Sequence, residues 1–174
     1  MRTDYIHKEE LQHIIAALTA PNRLVLELSL ATGLRIGDVL NLRLQALLGA
    51  SERKLTVREL KTGKNRRVKL PAELYERCIA QAGKVYVFEN RLDWKRPRSR
   101  QAVFKDLKRA AALFRVKVNV APHTARKVWA VEQYRTTGDL KRVQALLQHS
   151  SEAVTYLYAM ADELTERRKP KPKE

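Results

Sequence analysis

The sequence has a single cysteine and no long apolar run, and both absences narrow the class of protein. Cys78 is alone among 174 residues, so an internal disulfide is impossible and a disulfide-built secreted domain is excluded. No Cys/His cluster has the spacing of a structural zinc site, so we expect no metal. There is no run of 18 apolar residues, and the first residues lack the apolar core of a secretory signal. We therefore expect a cytoplasmic protein that does not enter a membrane.

Acidic residues are scarce relative to basic ones. The sequence has 19 Asp and Glu against 35 Lys and Arg, which gives a formal net charge of +16 at pH 7. So large an excess in one small domain favours a polyanionic partner. A ribosomal-type or merely very soluble basic protein has the same property, so the motifs must distinguish these classes.

The apolar residues repeat mainly with the period of an amphipathic helix. We predict helices over residues 8–18, 21–32, 36–42, 71–82, 99–114, 123–136 and 139–147, and a last one that starts at Ser151 and carries Tyr158. Residues 55–59 and 66–70 alternate like strands and are joined by a loop at residues 62–65. Residues 85–88 are either a third short strand or a buried extended segment. The prediction is a mainly α domain with a small antiparallel β-sheet, an α+β fold.

Six residues supply the groups that metal-free cleavage of a phosphodiester needs. In chain order they are Arg35, Lys61, His123, Arg126, His149 and Tyr158. A guanidinium stays charged and donates in a planar fork, so Arg35 and Arg126 suit the non-bridging oxygens of a phosphate. His123 lies three residues before Arg126, so the two share a helix face, and a helix N-terminus attracts phosphate as well. A phenol oxygen such as that of Tyr158 can attack the phosphorus.

The order and spacing of these residues resemble the tyrosine recombinases, also called the phage integrase family. The family's T-G-L-R-x-x-E/D segment matches residues 32–38, its h-P-H-x-x-R segment matches residues 120–126, and its H-S-S-x-x-x-T-x-x-Y spacing fits residues 149–158. Residues 146–151 match the family's L-L-G-H-S-S, except that Gln148 stands where glycine is usual. Each motif is weak alone, but the ordered set is specific and covers about residues 11–160.

The resemblance implies the fold of the tyrosine recombinase catalytic domain and a mechanism. Tyr158 attacks the scissile phosphate to give a 3′-phosphotyrosine and a free 5′ hydroxyl. The two arginines and the two histidines stabilise the transition state, and Lys61 protonates the leaving 5′ oxygen. Asp38, three residues after Arg35, orients it across one helical turn, although an ordinary surface pair would have the same spacing. Neither a cofactor nor ATP is implied.

Two of these roles have competing candidates. Lys64 competes with Lys61 as general acid and Lys69 is a weaker third, but Lys61 is the lysine that precedes Thr-Gly as in the family. Tyr156 competes with Tyr158, and the two lie about 200° apart on a helix, so only one can face the phosphate. The spacing from the second histidine favours Tyr158. A solvated turn lysine and a core tyrosine are the structural alternatives.

The implied substrate is double-stranded DNA, bound through phosphate contacts and therefore strongly salt-dependent. The expected contacts come from the hairpin turn and from a basic loop at residues 91–100: Lys64, Arg91, Trp94, Lys95, Arg96, Arg98 and Arg100. Residues 105–109 are a further candidate region. Two duplexes must meet, so the resemblance implies a homotetramer on DNA, with a monomer possible in isolation.

The resemblance also bears on domain organisation and on the type of reaction. Residues 1–164 are expected to form the catalytic domain, residues 165–174 a basic, disordered tail, and no N-terminal core-binding domain is recognised. This fits either an excised domain or a short recombinase encoded by a bacterium or phage. A type IB topoisomerase shares the fold and chemistry, and a DNA-binding module that has lost cleavage is a third possibility. The small size and the spacing from His149 to Tyr158 favour a site-specific recombinase or integrase.

Overall fold

The computed structural model describes residues 6–116 and 119–147. Within them the elements are α1 (Lys8–Ala16), α2 (Ala20–Thr32), α3 (Ile36–Leu40), α4 (Leu44–Leu48), β1 (Lys54–Arg58), β2 (Asn65–Lys69), α5 (Ala72–Gln81), α6 (Arg100–Leu113), α7 (His123–Thr137) and α8 (Leu140–Leu147). A single 3₁₀ turn, Ser51–Arg53, precedes β1. The predicted α+β architecture is confirmed, and no helix in the described part is long and apolar enough to span a membrane.

Helix α2 forms the centre of the core. It is apolar on most of its surface, with Leu24, Val25, Leu26 and Leu28 all buried, as expected of a helix covered on several sides. Helices α1, α3, α5 and α7 pack around it. The buried thiol of Cys78, on α5, belongs to the same core, and burial raises its pKa to about 12. The C-terminal end of α2 is therefore fixed from several directions, and the candidate site begins there.

Strands β1 and β2 pair antiparallel as predicted, but each begins and ends one residue earlier than expected. Leu55 lies opposite Val68, and the exposed and buried positions alternate strictly along both strands. Glu59, predicted to end the first strand, lies just beyond it and closes the hairpin. Its N–H donates to the carbonyl of Lys64 at 2.9 Å, and its carbonyl accepts from Gly63 at 2.8 Å.

Two features between the helices complete the fold. Helix α4 was not predicted, because five residues with only Leu47 buried are too short to show a helical period. Residues 85–88 are neither a strand of the sheet nor a continuous extended segment: Tyr86 forms an isolated antiparallel bridge with Arg43, and residues 87 and 88 form a buried turn. The N–H of Val87 donates to Leu42 at 2.9 Å, and the carbonyl of Val85 accepts from Leu44 at 3.0 Å. This segment leads into the basic loop at residues 91–100.

The helix ends agree with the predicted stop and start signals to within two residues. Gly33 and Gly138 adopt left-handed φ values of 68° and 63° and end α2 and α7. The Ser99 hydroxyl accepts from the N–H of Ala102 at 3.1 Å and caps α6. Asp139 accepts from the N–H of Arg142 at 2.9 Å, which is the predicted cap of α8. The predicted helix after Ser151 and the tail at residues 165–174 lie outside the described residues.

Candidate active site

Arg35 projects from the tight corner between α2 and α3, as predicted. Gly33 reverses the chain, and Arg35 takes the extended N-cap position of α3. The corner is fixed locally: the Ser29 hydroxyl donates to the carbonyl of Leu34 at 2.8 Å, and the Leu34 N–H donates to the Thr32 hydroxyl at 3.2 Å. The Arg35 side chain is 16% exposed, so it emerges from a rigid base into a partly enclosed space.

Two buried arginines hold the end of α2. The carbonyl of Gly33 accepts from Arg66 at 3.2 Å and from Arg126 at 2.6 Å, and Arg66 also donates to the carbonyl of Thr32 at 2.6 Å. The last carbonyls of a helix lack intrahelical partners and carry partial negative charge, so cations suit this position. Burial lowers the pKa of Arg66, while the Glu59 carboxylate opposes the shift.

Glu59 is the ion-pair partner of Arg35, and the sequence reasoning missed it. The carboxylate is 0% exposed; its Oε2 pairs with Nη1 of Arg35 and accepts from the Thr62 hydroxyl at 3.1 Å. Its Oε1 lies 3.8 Å from Nη1 of Arg66. One signal could have found it. Leu55, Val57 and Glu59 share the inward parity of β1, so the alternation itself directs this carboxylate into the protein.

Asp38 does not have the predicted direct contact with Arg35. Its Oδ1 accepts from the backbone N–H of Leu60 at 2.9 Å. Burial raises the pKa of Asp38, whereas the Leu60 N–H and the nearby charge of Arg35 act to lower it. The i, i+3 spacing is present, but the Arg35 guanidinium pairs with Glu59 instead. Asp38 therefore anchors the segment just before Lys61 rather than the guanidinium.

Arg35 lies between two adjoining cavities that bring several predicted residues together. The first, about 500 Å³ in volume, is lined by Arg35, Asp38, Lys61, Arg98 and Arg100, among others. The second, about 400 Å³, is lined by Arg35, Arg100, Phe104, Pro122 and His123, among others. Arg35 and Arg100 border both cavities. The structure thus assembles one basic site from α3, the β1–β2 turn, α6 and the start of α7.

The cavities also separate the three lysine candidates. All three lysines are exposed, but Lys61 lines the cavity beside Arg35, whereas Lys64 and Lys69 are not among the described residues that line either cavity. Lys69 lies opposite Lys54 in the sheet. Position therefore favours Lys61 over the other two as the lysine that shares a cavity with Arg35.

His123 and Arg126 begin α7, but they occupy different environments. His123 is half-buried at the first position of the helix and lines the second cavity. Arg126 is 1% exposed, and its Nη2 donates to the carbonyl of Leu147 at 2.5 Å, in addition to the Gly33 bond. Arg126 thus links α7 to the end of α2 and to the end of α8. His149, Tyr156 and Tyr158, which follow α8 in the chain, lie outside the described residues.

The predicted DNA contacts of the basic loop divide into residues outside the two cavities and residues that border them. Arg91, Lys95 and Arg96 are exposed, and Trp94 is 45% exposed with the ammonium groups of Lys84 and Lys95 at 5.4 and 5.7 Å from its ring centre. Arg98, which is half-buried, and Arg100, which is exposed, border the site. Nε of Arg98 donates to Asn22 at 2.6 Å, which ties this part of the loop to α2. Metal ligation has no support in the described residues, which contain no group of three His, Cys, Asp or Glu.

Solved structures with the same architecture are tyrosine recombinase catalytic domains. A lambda integrase fragment in a dimer bound to a COC′ core site has a TM-score of 0.76 at 20% identity, covering 100% of this chain and 64% of that one. The lambda integrase catalytic core has a TM-score of 0.70 at 21% identity, covering 84% and 91%. XerA recombinase has a TM-score of 0.71 at 20% identity. At these identities the likeness shows the fold, as the sequence predicted.

Sequence comparison gives the family. The model of the phage integrase family matches residues 4–164. The probable integrase/recombinase YoeC of Bacillus subtilis is 31% identical over 140 residues, covering 78% of this chain and 75% of the relative. A tyrosine recombinase of Thermosipho africanus is 30% identical over 163 residues, but the chain spans only 56% of its length. The chain belongs to the phage integrase family, and the predicted resemblance is confirmed.

Proposed function

We propose that this chain is the DNA-cleaving domain of a site-specific recombinase or integrase that works through a 3′-phosphotyrosine. One observation carries the proposal. In a member of this family, the structure gathers Arg35, Lys61, Arg100 and His123 around two adjoining cavities. Three of these four residues were predicted as catalytic from sequence alone. A site with this concentration of positive charge suits a phosphodiester anion.

The phosphate would be held by hydrogen-bond donors that are in place before it arrives. Arg35 offers a guanidinium at the cavity wall, and His123 offers an imidazole at the first position of a 15-residue helix, whose N-terminus also attracts anions. We assign Arg126 to the same phosphate from its place in the family pattern, although it is buried behind the described cavity lining, where two carbonyl bonds fix the plane of its guanidinium. Because these groups are preorganised, little reorganisation is needed as charge develops on the non-bridging oxygens.

Cleavage exchanges one phosphoester bond for another. The phenol oxygen of Tyr158 attacks phosphorus, the bond from phosphorus to the 5′ oxygen breaks, and a 3′-phosphotyrosine forms. Lys61 gives a proton to the leaving 5′ oxygen, and His149 is the candidate to accept the proton that the phenol loses. Rejoining is the reverse, with a 5′ hydroxyl of the partner strand as nucleophile. The covalent intermediate conserves the bond energy, so we propose that neither ATP nor a metal ion is required.

Duplex DNA is the proposed partner, in the cytoplasm of a bacterium. Relatives of known structure include a lambda integrase dimer bound to a core site and a lambda integrase tetramer bound to a Holliday junction. By analogy we propose a homotetramer on DNA for this chain. The exposed cations of the basic loop, with Trp94 between them, would contact the DNA backbone beyond the cleaved phosphate, together with Lys64 of the hairpin turn; the loop cations are Arg91, Lys95 and Arg96.

The test is covalent capture on DNA in the presence of EDTA. The full chain is incubated with nicked duplexes of randomised sequence, so that cleavage releases a short strand and traps the adduct. Denaturing recovery followed by sequencing identifies the target, and mass spectrometry identifies the modified residue. We expect a nucleotide adduct on Tyr158, its loss in Tyr158→Phe with DNA binding nearly unchanged, and its retention in Tyr156→Phe.

The other outcomes distinguish the alternatives. An adduct that persists in Tyr158→Phe and disappears in Tyr156→Phe would move the nucleophile. Relaxation of supercoiled plasmid without exchange between two duplexes would indicate a type IB topoisomerase-like activity. Tight binding with no adduct on any nicked duplex would leave a non-cleaving DNA-binding module. Cleavage that stops in EDTA would overturn the metal-free mechanism.

A further inference from the structure

Glu59 is a buried acid at the centre of a basic site, and burial of a carboxylate is costly unless it is well paired. Its side chain is 0% exposed and faces three cationic or hydroxyl partners: Arg35, Arg66 and Thr62. Arg66 is already occupied by the carbonyls of Thr32 and Gly33, and it stacks 5.2 Å above the Trp129 ring. Glu59 thus lies between Arg66, which backbone carbonyls hold in place, and Arg35, which lines both cavities.

Glu59 is also part of the turn that carries Lys61. Its backbone closes the hairpin through Gly63 and Lys64, and its Oε2 accepts from Thr62, the residue after Lys61. One residue before the lysine, the Leu60 N–H donates to Asp38. The residues on both sides of Lys61 are therefore bonded to acidic side chains. Leu60 bonds Asp38, which follows Arg35 in α3, and Thr62 bonds Glu59, which pairs with Arg35.

We propose that Glu59 is a positioning residue for DNA cleavage, which sets the Arg35 guanidinium and the Lys61 turn in one fixed relation across the cavity. This inference rests on the proposed function. One oxygen, Oε2, bonds both the guanidinium and Thr62, so a shift of either group strains the other. Arg35 binds charge on the phosphate while Lys61 protonates the 5′ oxygen of that phosphate. The two must act within one transition state, and their relative placement determines its stability.

The ion pair has opposite consequences for binding and for chemistry. Glu59 competes with the phosphate for the charge of Arg35, so its removal should not weaken DNA binding. Without the Glu59 carboxylate, the Arg35 side chain regains rotamer freedom, and the turn that carries Lys61 loses its link to the Arg35 corner. Glu59→Gln is expected to keep the Kd for DNA within about threefold and to lower the cleavage rate constant at saturating protein by about 30-fold.

The experiment is single-turnover cleavage of the captured nicked duplex by the wild-type chain, Glu59→Gln, Glu59→Asp and Glu27→Gln. Glu27 is a matched control, because it pairs with Arg77 and lines a different cavity, bordered by α1, α2, α5 and α7. The rate constant of cleavage and its amplitude, which is the fraction of the protein that cleaves, are measured separately. Damage to the fold lowers the amplitude and the melting temperature, whereas mispositioning lowers the rate constant of the molecules that remain folded.

Each outcome gives a decision. A wild-type chain that forms no adduct refutes the proposed function itself. If the wild type cleaves and Glu59→Gln has a rate constant within about twofold of it, whatever its amplitude, the positioning role is wrong. If Glu59→Gln does not fold, Glu59→Asp decides. It keeps the charge but is one methylene shorter, and we expect a rate about fivefold lower, with an unchanged rate refuting the proposal.

Discussion

Gly33 lies directly against the indole of Trp129: a Cβ at position 33 would fall 2.3 Å from Cε3 of the ring. The same glycine has a φ of 68°, and its carbonyl accepts bonds from two buried arginines. Sequence alone shows a glycine that ends a helix. The structure adds that α7 packs against this glycine, so the corner before Arg35 requires a residue with no side chain at all.

We expect Gly33→Ala to be strongly destabilising. The left-handed conformation costs a Cβ-bearing residue about 1 kcal/mol, and displacement of the buried Trp129 ring adds overpacking of about 2 kcal/mol more. Gly138→Ala is the matched control, since Gly138 has a φ of 63° but nothing within 4 Å of the added Cβ. Urea unfolding measures both variants. Equal losses would show that the ring yields at no cost.

Lys61→Ala should cleave DNA slowly because the 5′ alkoxide leaves without a proton donor. We expect a loss of about 100-fold or more in the cleavage rate, and less than about threefold in Lys64→Ala or Lys69→Ala. A substrate with sulfur in place of the bridging 5′ oxygen supplies a leaving group that needs no acid. Rapid cleavage of that substrate by Lys61→Ala confirms the role. If the sulfur substrate is cleaved as slowly as the normal one, the lysine does something else.

Local signals sufficed for most of the fold. Each signal depends on a few neighbouring residues. The signals are the glycines at two helix ends, the serine and the aspartate at two helix starts, and the strict alternation in the strands. Five-residue α4 could not be predicted in this way. Its existence depends on Leu47 reaching the core and on the contact of residues 42–44 with the segment at 85–87, which is distant in sequence.

The site shows the same division between local and distant information. Arg35, Lys61 and His123 were found because their segments match a family pattern, and their positions around the cavities follow from the fold. Arg66 and Glu59 were not found, since their importance depends on pairing between groups brought together by the sheet and by α7. Glu59 carries a local signal in the inward parity of β1, but only the tertiary structure shows which cations it faces.

Arg100 and Arg96 should affect different steps, although both belong to the basic segment. Both side chains are exposed, but Arg100 borders both cavities, whereas Arg96 is not among the described residues that line them and pairs with Asp93 at 3.3 Å. Arg96→Ala is expected to weaken DNA binding and to reduce the slope of log K against log salt by about 1, with the saturating rate unchanged. Arg100→Ala should lower the saturating rate as well. Identical behaviour of the two variants would contradict the assignment.

Asp106 should make the stability of the fold depend on acid pH. Its two oxygens accept from the N–H and hydroxyl of Thr19, from Asn22 and from Arg109, at 2.7 to 3.0 Å. Burial acts to raise the pKa of Asp106, but these hydrogen bonds outweigh it and lower the pKa from 3.8 to about 2. The carboxylate joins the start of α2 to α6. Through Asn22, which also binds Arg98, it supports the edge of the candidate site.

A carboxyl whose pKa is lower in the folded state than in the unfolded state stabilises the fold fully at any pH above its unfolded-state pKa. That stabilisation is lost as the pH falls through its folded-state pKa. Asp106→Asn is therefore expected to lower the free energy of unfolding by about 2 kcal/mol at pH 7, and the gap to the wild type should narrow between about pH 4 and about pH 2. Urea unfolding at a series of pH values measures the gap. Asp139→Asn replaces an exposed helix cap by a residue that also caps helices. We therefore expect it to lower the free energy of unfolding by only roughly a few tenths of a kcal/mol at every pH. A gap for Asp106→Asn that stays constant down to acid pH would show that the hydrogen bonds, rather than the charge they stabilise, account for its contribution.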